Sequence, residues 1–199
     1  MKITSKLAFV VFCCLILSAC VTPRTYVDPQ YRRASYEQIQ RPSEPVSVRI
    51  DARFQRNGQA YPAVDAQLRE IVVRTLRATG TFIPSADSLA VVHVVANNIA
   101  DLAAARAKGF GTGLTLGAVG STVDDSYEFT FSYRGDDGQE HESTYHHAIH
   151  TTVGNVATPP GATSTTPENA FEKVVEDVTL NFVQDLQSSE SALEAREAS

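Results

Sequence analysis

Val46-Ser-Val-Arg-Ile-Asp-Ala-Arg-Phe54 alternates strictly, with Val46, Val48, Ile50, Ala52 and Phe54 on one side and Ser47, Arg49, Asp51 and Arg53 on the other. That period describes a strand with one apolar and one wet face. Arg56-Asn57-Gly58-Gln59 then turns the chain. Val64, Leu68, Ile71, Val72 and Leu76 follow at helical spacing through residues 63–79, before Gly80 offers a C-cap. Each element has an apolar side that needs covering, so the helix is expected to lie on a sheet.

The pattern continues downstream. Leu89 to Ala100 (LAVVHVVANNIA) is apolar on both faces for most of its length, which predicts a central strand covered by a helix on one side. A short helical turn is expected at 101–108. Tyr127, Phe129, Phe131 and Tyr133 alternate with polar residues, and Gly135-Asp-Asp-Gly138 turns the chain into a return strand from Gln139 to Val153. Residues 154–167 lack periodicity and read as an exposed loop. Thr166 can cap a helix whose first position is Pro167, with Phe171, Val174, Val175, Val178, Phe182 and Leu186 on one face down to about residue 187. Residues 188–199 read as a polar, frayed tail. The order β-α-β-β-β-α predicts an α+β fold: a two-layer sandwich of a mainly antiparallel sheet with two amphipathic helices on one face. No internal repeat is visible.

The 199 residues are 43% hydrophobic and 20% charged, which suits one globular domain and not a disordered chain. The formal charge is −6. Such an acidic body has no electrostatic reason to bind phosphate backbones, so no nucleic-acid partner is expected.

At the N-terminus Lys2 and Lys6 form a positive region, and Leu7 to Leu17 is an uncharged run of 11 residues, well short of the roughly 20 that a spanning helix needs. Residues 1–19 read as a signal peptide, and their loss takes the charge from −6 to −8. Leu17-Ser18-Ala19-Cys20 resembles the lipobox of bacterial lipoproteins. The resemblance implies cleavage before Cys20, a diacylglycerol on its sulfur and an acylated new amine. An ordinary secretory cut after Ala19 is the alternative. Cys13 and Cys14 would leave with the signal, so the mature chain would have one cysteine and no internal disulfide. Several acyl chains give a durable membrane anchor where one gives a marginal one. In Gram-negative enterobacteria an aspartate after the cysteine favours the inner membrane; Val21 in that place implies the outer.

Residues 21–45 hold four prolines and no apolar period, so residues 20–45 are expected to be a lipidated cysteine followed by a semi-extended tether, leaving 46–187 as the domain. Such a tether would reach tens of ångströms from the lipid at roughly 3 Å per residue. Tyr26, Tyr31 and Tyr36 recur every five residues among Arg24, Arg32, Arg33 and Arg41. They are read as parts of a solvated linker.

Three constellations invite a chemical reading. Gly109 to Gly120 holds five glycines in twelve residues, but it lacks the lysine and following helix of a phosphate loop and leads into a strand. It reads as a connection or weak edge strand. Phe110, Leu114 and Leu116, on a nearly uncharged stretch, form a candidate interaction loop for a second subunit or the membrane. Second, His141, His146, His147 and His150 crowd one strand. Along a strand His146 and His150 share a face about 13 Å apart, too far for one ion, and His147 points the other way. These three are the only metal candidates, and no metal or cofactor is assigned. His93, alone in an apolar strand, reads as a hydrogen-bonded core histidine. Third, Asp124-Asp125 and Asp136-Asp137 are adjacent carboxylates beside turns, where such pairs usually face water. No nucleophile motif accompanies them, so no catalytic residue is assigned. A cleft lined by His146, Asp124 or Glu128 would favour an enzyme.

With lipobox, linker and element order together, the chain is similar to small Gram-negative envelope lipoproteins. These include penicillin-binding-protein activators and the periplasmic modules of curli-secretion and exopolysaccharide-export lipoproteins. Residues 108–117 and 145–154 also resemble phrases of uncharacterised proteobacterial lipoproteins. The resemblance implies a non-enzymatic accessory module on the periplasmic face of the outer membrane, with an envelope protein or a second copy as partner. The alternative is a lipoprotein that binds a metal or small ligand through strand 141–150.

Overall fold

The computed structural model describes residues 23–100, 121–154 and 156–197. The signal peptide, Cys20, the helical turn expected at 101–108 and the loop with Phe110, Leu114 and Leu116 lie outside the described residues.

The alternating stretch forms β2 (Val46–Arg56), whose Val48, Ile50, Ala52 and Phe54 are buried. Asn57 and Gly58, both at positive φ, reverse the chain into the short β3 (Gln59–Ala60). A 3-10 turn at Pro62–Val64 leads into helix α1 (Asp65–Thr79), closed by Gly80 at φ 73° with its N–H on the Arg77 carbonyl. β4 (Phe82–Pro84) and β5 (Val91–Ala100) both run parallel to β2. The hairpin of β6 (Ser121–Arg134) and β7 (Glu140–Val153) then adds two long antiparallel strands. Helix α2 (Pro167–Glu197) completes the second layer, with the Thr166 hydroxyl accepting from the Asn169 N–H.

The sheet order is β1-β7-β6-β5-β2-β3, with β4 beside β2. It is a mixed sheet, and both helices pack on one face of it and on each other. Val92, Val94 and Ala96 of β5 meet Phe129 and Phe131 of β6, and Phe182 of α2 stacks on Phe131 with ring centroids 4.9 Å apart. A fully buried side chain of this size contributes about 1.5–3 kcal/mol, and this cluster centres the core. The α+β sandwich expected from the periodicities is the fold.

Three expectations need correction. The stretch 20–45 is not a free tether from Arg24 onward: Arg24–Val27 forms β1, paired antiparallel with Ile149–Thr152 of β7. Beyond it the chain is strapped along α2. Ala34 N–H donates to Asn181 Oδ1 at 2.9 Å, and the Asn181 amide donates to the Arg32 carbonyl at 3.0 Å. The Gln187 side chain bonds both backbone groups of Gln40. Tyr26, Ala34 and Ile39 are buried. Extended chain with scattered apolar residues looks like linker locally, and only distant polar partners make it structure. Second, α2 does not stop near 187 but runs to Glu197, with the Ser188, Ser189 and Ser191 hydroxyls bonded to carbonyls four residues back. β5 is covered on one side as expected, with Val92, Val94, Ala96 and Asn98 buried under the helices and Ile99 47% exposed. Third, His93 is not a core residue but lies on the open face, half-exposed, with Nδ1 3.4 Å from Asp51 Oδ2.

The strand directions bring three chain points to one end of the sheet. Arg24 lies opposite Thr152, Ser121 opposite Val153, and Ala100 opposite Asp125. Arg24 at the start of β1, Ala100 at the end of β5 and Ser121 at the start of β6 therefore share one end of the sheet.

Candidate functional site

β7 distributes its histidines by alternation. His147 lies opposite Tyr127 on the helix-covered face, while His146 and His150 lie opposite Glu128 and Asp124 on the other. His146 is exposed to solvent.

His147 is almost wholly buried and stacks on Tyr31, with ring centroids 4.8 Å apart. Ala148 N–H stands 2.9 Å from its Nδ1, and the Ala148 carbonyl lies 3.4 Å from the same nitrogen. Nε2 stands 3.9 Å from Asp177 Oδ2, beyond hydrogen-bond reach, and neither atom has a hydrogen-bond partner among the described residues. Burial pulls the His147 pKa down to about 4, so the ring is neutral at pH 7.

Asp177 projects from the buried face of α2, one turn from Val174 and Asn181. Lys173 Nζ lies 3.0 Å from its Oδ1, and Arg33 Nε of the strap lies 3.4 Å from its Oδ2. Burial raises the Asp177 pKa, with Lys173 and Arg33 acting in the opposite sense. Arg33 and Lys173 also line a cavity of about 360 Å³, together with Val27, Thr163, Thr165 and Asn169. The cavity is not lined by His146, Asp124 or Glu128. Because Lys173 Nζ also lies 3.3 Å from Glu176 Oε2, the two cations of the cavity face two carboxylates, and it offers polar contacts but little unbalanced charge.

On the other face His150 bridges two carboxylates. Its Nδ1 is 2.6 Å from Asp124 Oδ1 of β6, and its Nε2 is 3.0 Å from Asp28 Oδ2 just beyond β1. Tyr26 packs over the ring at 5.1 Å. Burial opposes the charge, but the hydrogen bonds that the ring donates to Asp124 and Asp28 outweigh it and raise the His150 pKa. Only the imidazolium donates from both nitrogens, so the charged ring fastens β1 to β7 and β6.

Because its two nitrogens point away from each other, His150 cannot gather both aspartates around one ion. Among the described residues no group of three or more His, Cys, Asp or Glu could hold a metal ion. His146, His147 and His150 are thus separated: one exposed, one sealed in the core, one between two carboxylates. Sequence reasoning missed Asp28, Arg33, Lys173 and Asp177. Asp177 did carry a signal, since 170, 174, 177 and 181 recur on one helical face and only a partnered charge belongs there.

No family model and no curated protein matches the chain. Solved structures similar to the chain include two bacterial proteins. A PelC variant from Paraburkholderia phytofirmans, described as a dodecamer, is 14% identical with a TM-score of 0.37, over 82% of this chain and 98% of that one. Protein XCC0632 from Xanthomonas campestris, of family DUF330, is 15% identical with a TM-score of 0.37, over 82% of this chain and 93% of that one. Among the described residues no helix is long and apolar enough to cross a membrane. At these scores the likeness assigns no role to any residue of this chain.

Proposed function

We propose that the chain is a non-enzymatic accessory module of the bacterial cell envelope. Acylated Cys20 fastens it to the periplasmic face of a membrane, the outer one by the Val21 resemblance, and it works through protein contacts. The observation that carries this reading is the position of β1. It begins at Arg24, four Cα steps from the lipobox cysteine, a span of about 13 Å at full extension. Lipid on Cys20 would hold the Arg24 end of the sheet close to the bilayer.

That end also carries Ala100 and Ser121, from which the connection with Phe110, Leu114 and Leu116 departs. An apolar, nearly uncharged segment belongs beside a membrane or another protein surface. The reading as a contact module is supported further by how the ionisable groups are engaged. Asp177 joins the strap to α2, and His150 joins β1 to its neighbours. These groups act as fasteners of the fold.

Metabolic palmitate labelling with membrane fractionation tests the proposal. The parent chain should incorporate label and sediment with membranes, and Cys20→Ala should do neither. An unlabelled parent chain, or one released into the soluble fraction, overturns the anchor. Crosslinking in cells that recovers no protein contact would overturn the accessory role.

A further inference from the structure

Beyond Asp28 the strap is attached differently from every other part of the fold. Its two ends are fixed by backbone bonds, Asp28 N–H to the Ala148 carbonyl at 3.0 Å and Val46 N–H to the Thr81 carbonyl at 2.9 Å. Between them no described backbone–backbone bond joins residues 29–45 to another element; the Gln38 and Ile39 N–H groups turn back onto the Ser35 and Tyr36 carbonyls. Side chains of α2 hold the segment instead. Asn181 accepts from the Ala34 N–H and donates to the Arg32 carbonyl, and Gln187 bonds both backbone groups of Gln40. Asp185, Asp177 and Glu176 meet Arg32, Arg33 and the Tyr36 hydroxyl. Ala34 and Ile39 are the buried apolar side chains of this stretch.

The strap also closes over two polar atoms that gain nothing from being covered. Tyr31 stacks on the His147 ring, and Arg33 lies against Asp177. His147 Nε2 and Asp177 Oδ2 are buried with no hydrogen-bond partner among the described residues. Water would satisfy both, so closure strips them of bonds that it does not replace. The groups facing His147 are Tyr31, Arg33 and Asp28 from the strap side and Lys173 and Asp177 from α2, with Tyr127 of β6 opposite. Few buried apolar contacts above and two unsatisfied groups beneath make this the least costly part of the described fold to open.

We propose that residues 29–40 are a latch that swings off α2 as one unit, hinged at Asp28 and at residues 41–45, while the sandwich stays folded. Opening admits water to His147 and Asp177 and bares the polar stripe 176–187 of α2. Asn181 and Gln187 clamp the same extended segment at Ala34 and Gln40, so the two clamps close and release together. The latch requires no lipid on Cys20 and stands or falls apart from the anchoring proposal.

Native-state hydrogen exchange on the full-length chain tests the latch. The Ala34 and Gln40 amides should exchange through one shared opening, roughly a hundredfold more often than the Val94 amide at the centre of the sheet. Crossed variants show whether the segment moves as a unit: Asn181→Ala should speed exchange at Gln40, and Gln187→Ala should speed it at Ala34, each by about threefold or more. Effects confined to the amide that lost its own partner, or Ala34 and Gln40 exchanging no faster than Val94, overturn the proposal.

The pH dependence of the same opening gives a second reading. The ring is neutral with a pKa of about 4 when covered, and water returns it toward the ordinary 6.5, so opening takes up a proton. Between pH 7 and 5.5 the opening constant should rise about eightfold more in the parent chain than in His147→Phe. Asp177, raised by burial, pulls the other way in both chains and cancels in that comparison. Equal pH dependence in the two chains would mean that the strap does not seal the ring, and would contradict the latch.

Discussion

His147 and His150 stand three residues apart on one strand and titrate in opposite directions. His147 faces the helices, neutral and desolvated, with its pKa drawn down to about 4. His150 faces the other side, where burial is partial and two carboxylates outweigh it, so its pKa is raised. The side chain and strand are the same; only the face differs. A histidine cluster in sequence is thus divided by the pleat into a core residue and a fastener, and neither has the convergent neighbours of a metal centre.

The largest expected effect separates the two through pH. Between pH 6.5 and 4 the unfolded chain binds a proton at residue 147 that the folded one does not, so stability falls as pH drops, by up to ~3 kcal/mol. His147→Phe should remove most of that slope in urea denaturation at pH 7 and 4.5. An unchanged slope would mean the ring is not held neutral.

Asp177→Ala should cost about 2 kcal/mol at pH 7. That is less than the loss for a fully buried pair, because Arg33 and Lys173 are 40% and 47% exposed. Thermal melts compare it with the parent. His150→Gln has the opposite pH dependence. The contribution of His150 is complete below its unfolded pKa of about 6.5 and is lost as pH rises through its higher folded value. The variant should cost about 1 kcal/mol at pH 6 and little at pH 8.5. Faster hydrogen exchange at the Asp28 amide should report it, and equal losses at both pH values would refute the imidazolium clasp. The smallest effect is expected from Tyr31→Ala, which bares one side of the His147 ring. The His147 pKa should move up by roughly half a pH unit, followed by NMR titration.

The elements legible in the sequence are those whose evidence is local. Alternation in Val46–Phe54 and Tyr127–Tyr133, helical spacing from Leu68 to Leu76, and the Thr166-Pro167 start each lie within one element, and the sandwich follows from them. β3 and β4 span two and three residues, too short for any period to register. The strap escaped for a different reason. Its backbone bonds go to Asn181 and Gln187, both 147 residues away from their partners, and nothing near Ala34 or Gln40 announces them. His93 misled because a lone histidine in an apolar strand was read as core, while it falls on the face of β5 that the helices leave open. The buried network at Asp177 was half legible, as a charge on an apolar stripe whose partners lie on another element.

If Cys20 carries lipid as proposed, the folded strap decides how the body stands, because a body joined at Arg24 would keep that end toward the lipid, whereas one on a 25-residue linker would tumble. Energy transfer from a headgroup-labelled bilayer tests this in the full chain, purified from membranes and returned to vesicles. Dyes are placed at Arg24→Cys or at Asp136→Cys, in the turn at the far end of β6, a strand of 14 residues and about 45 Å. Strong transfer at Arg24→Cys and weak transfer at Asp136→Cys is the predicted result. Equal transfer at the two positions would contradict it.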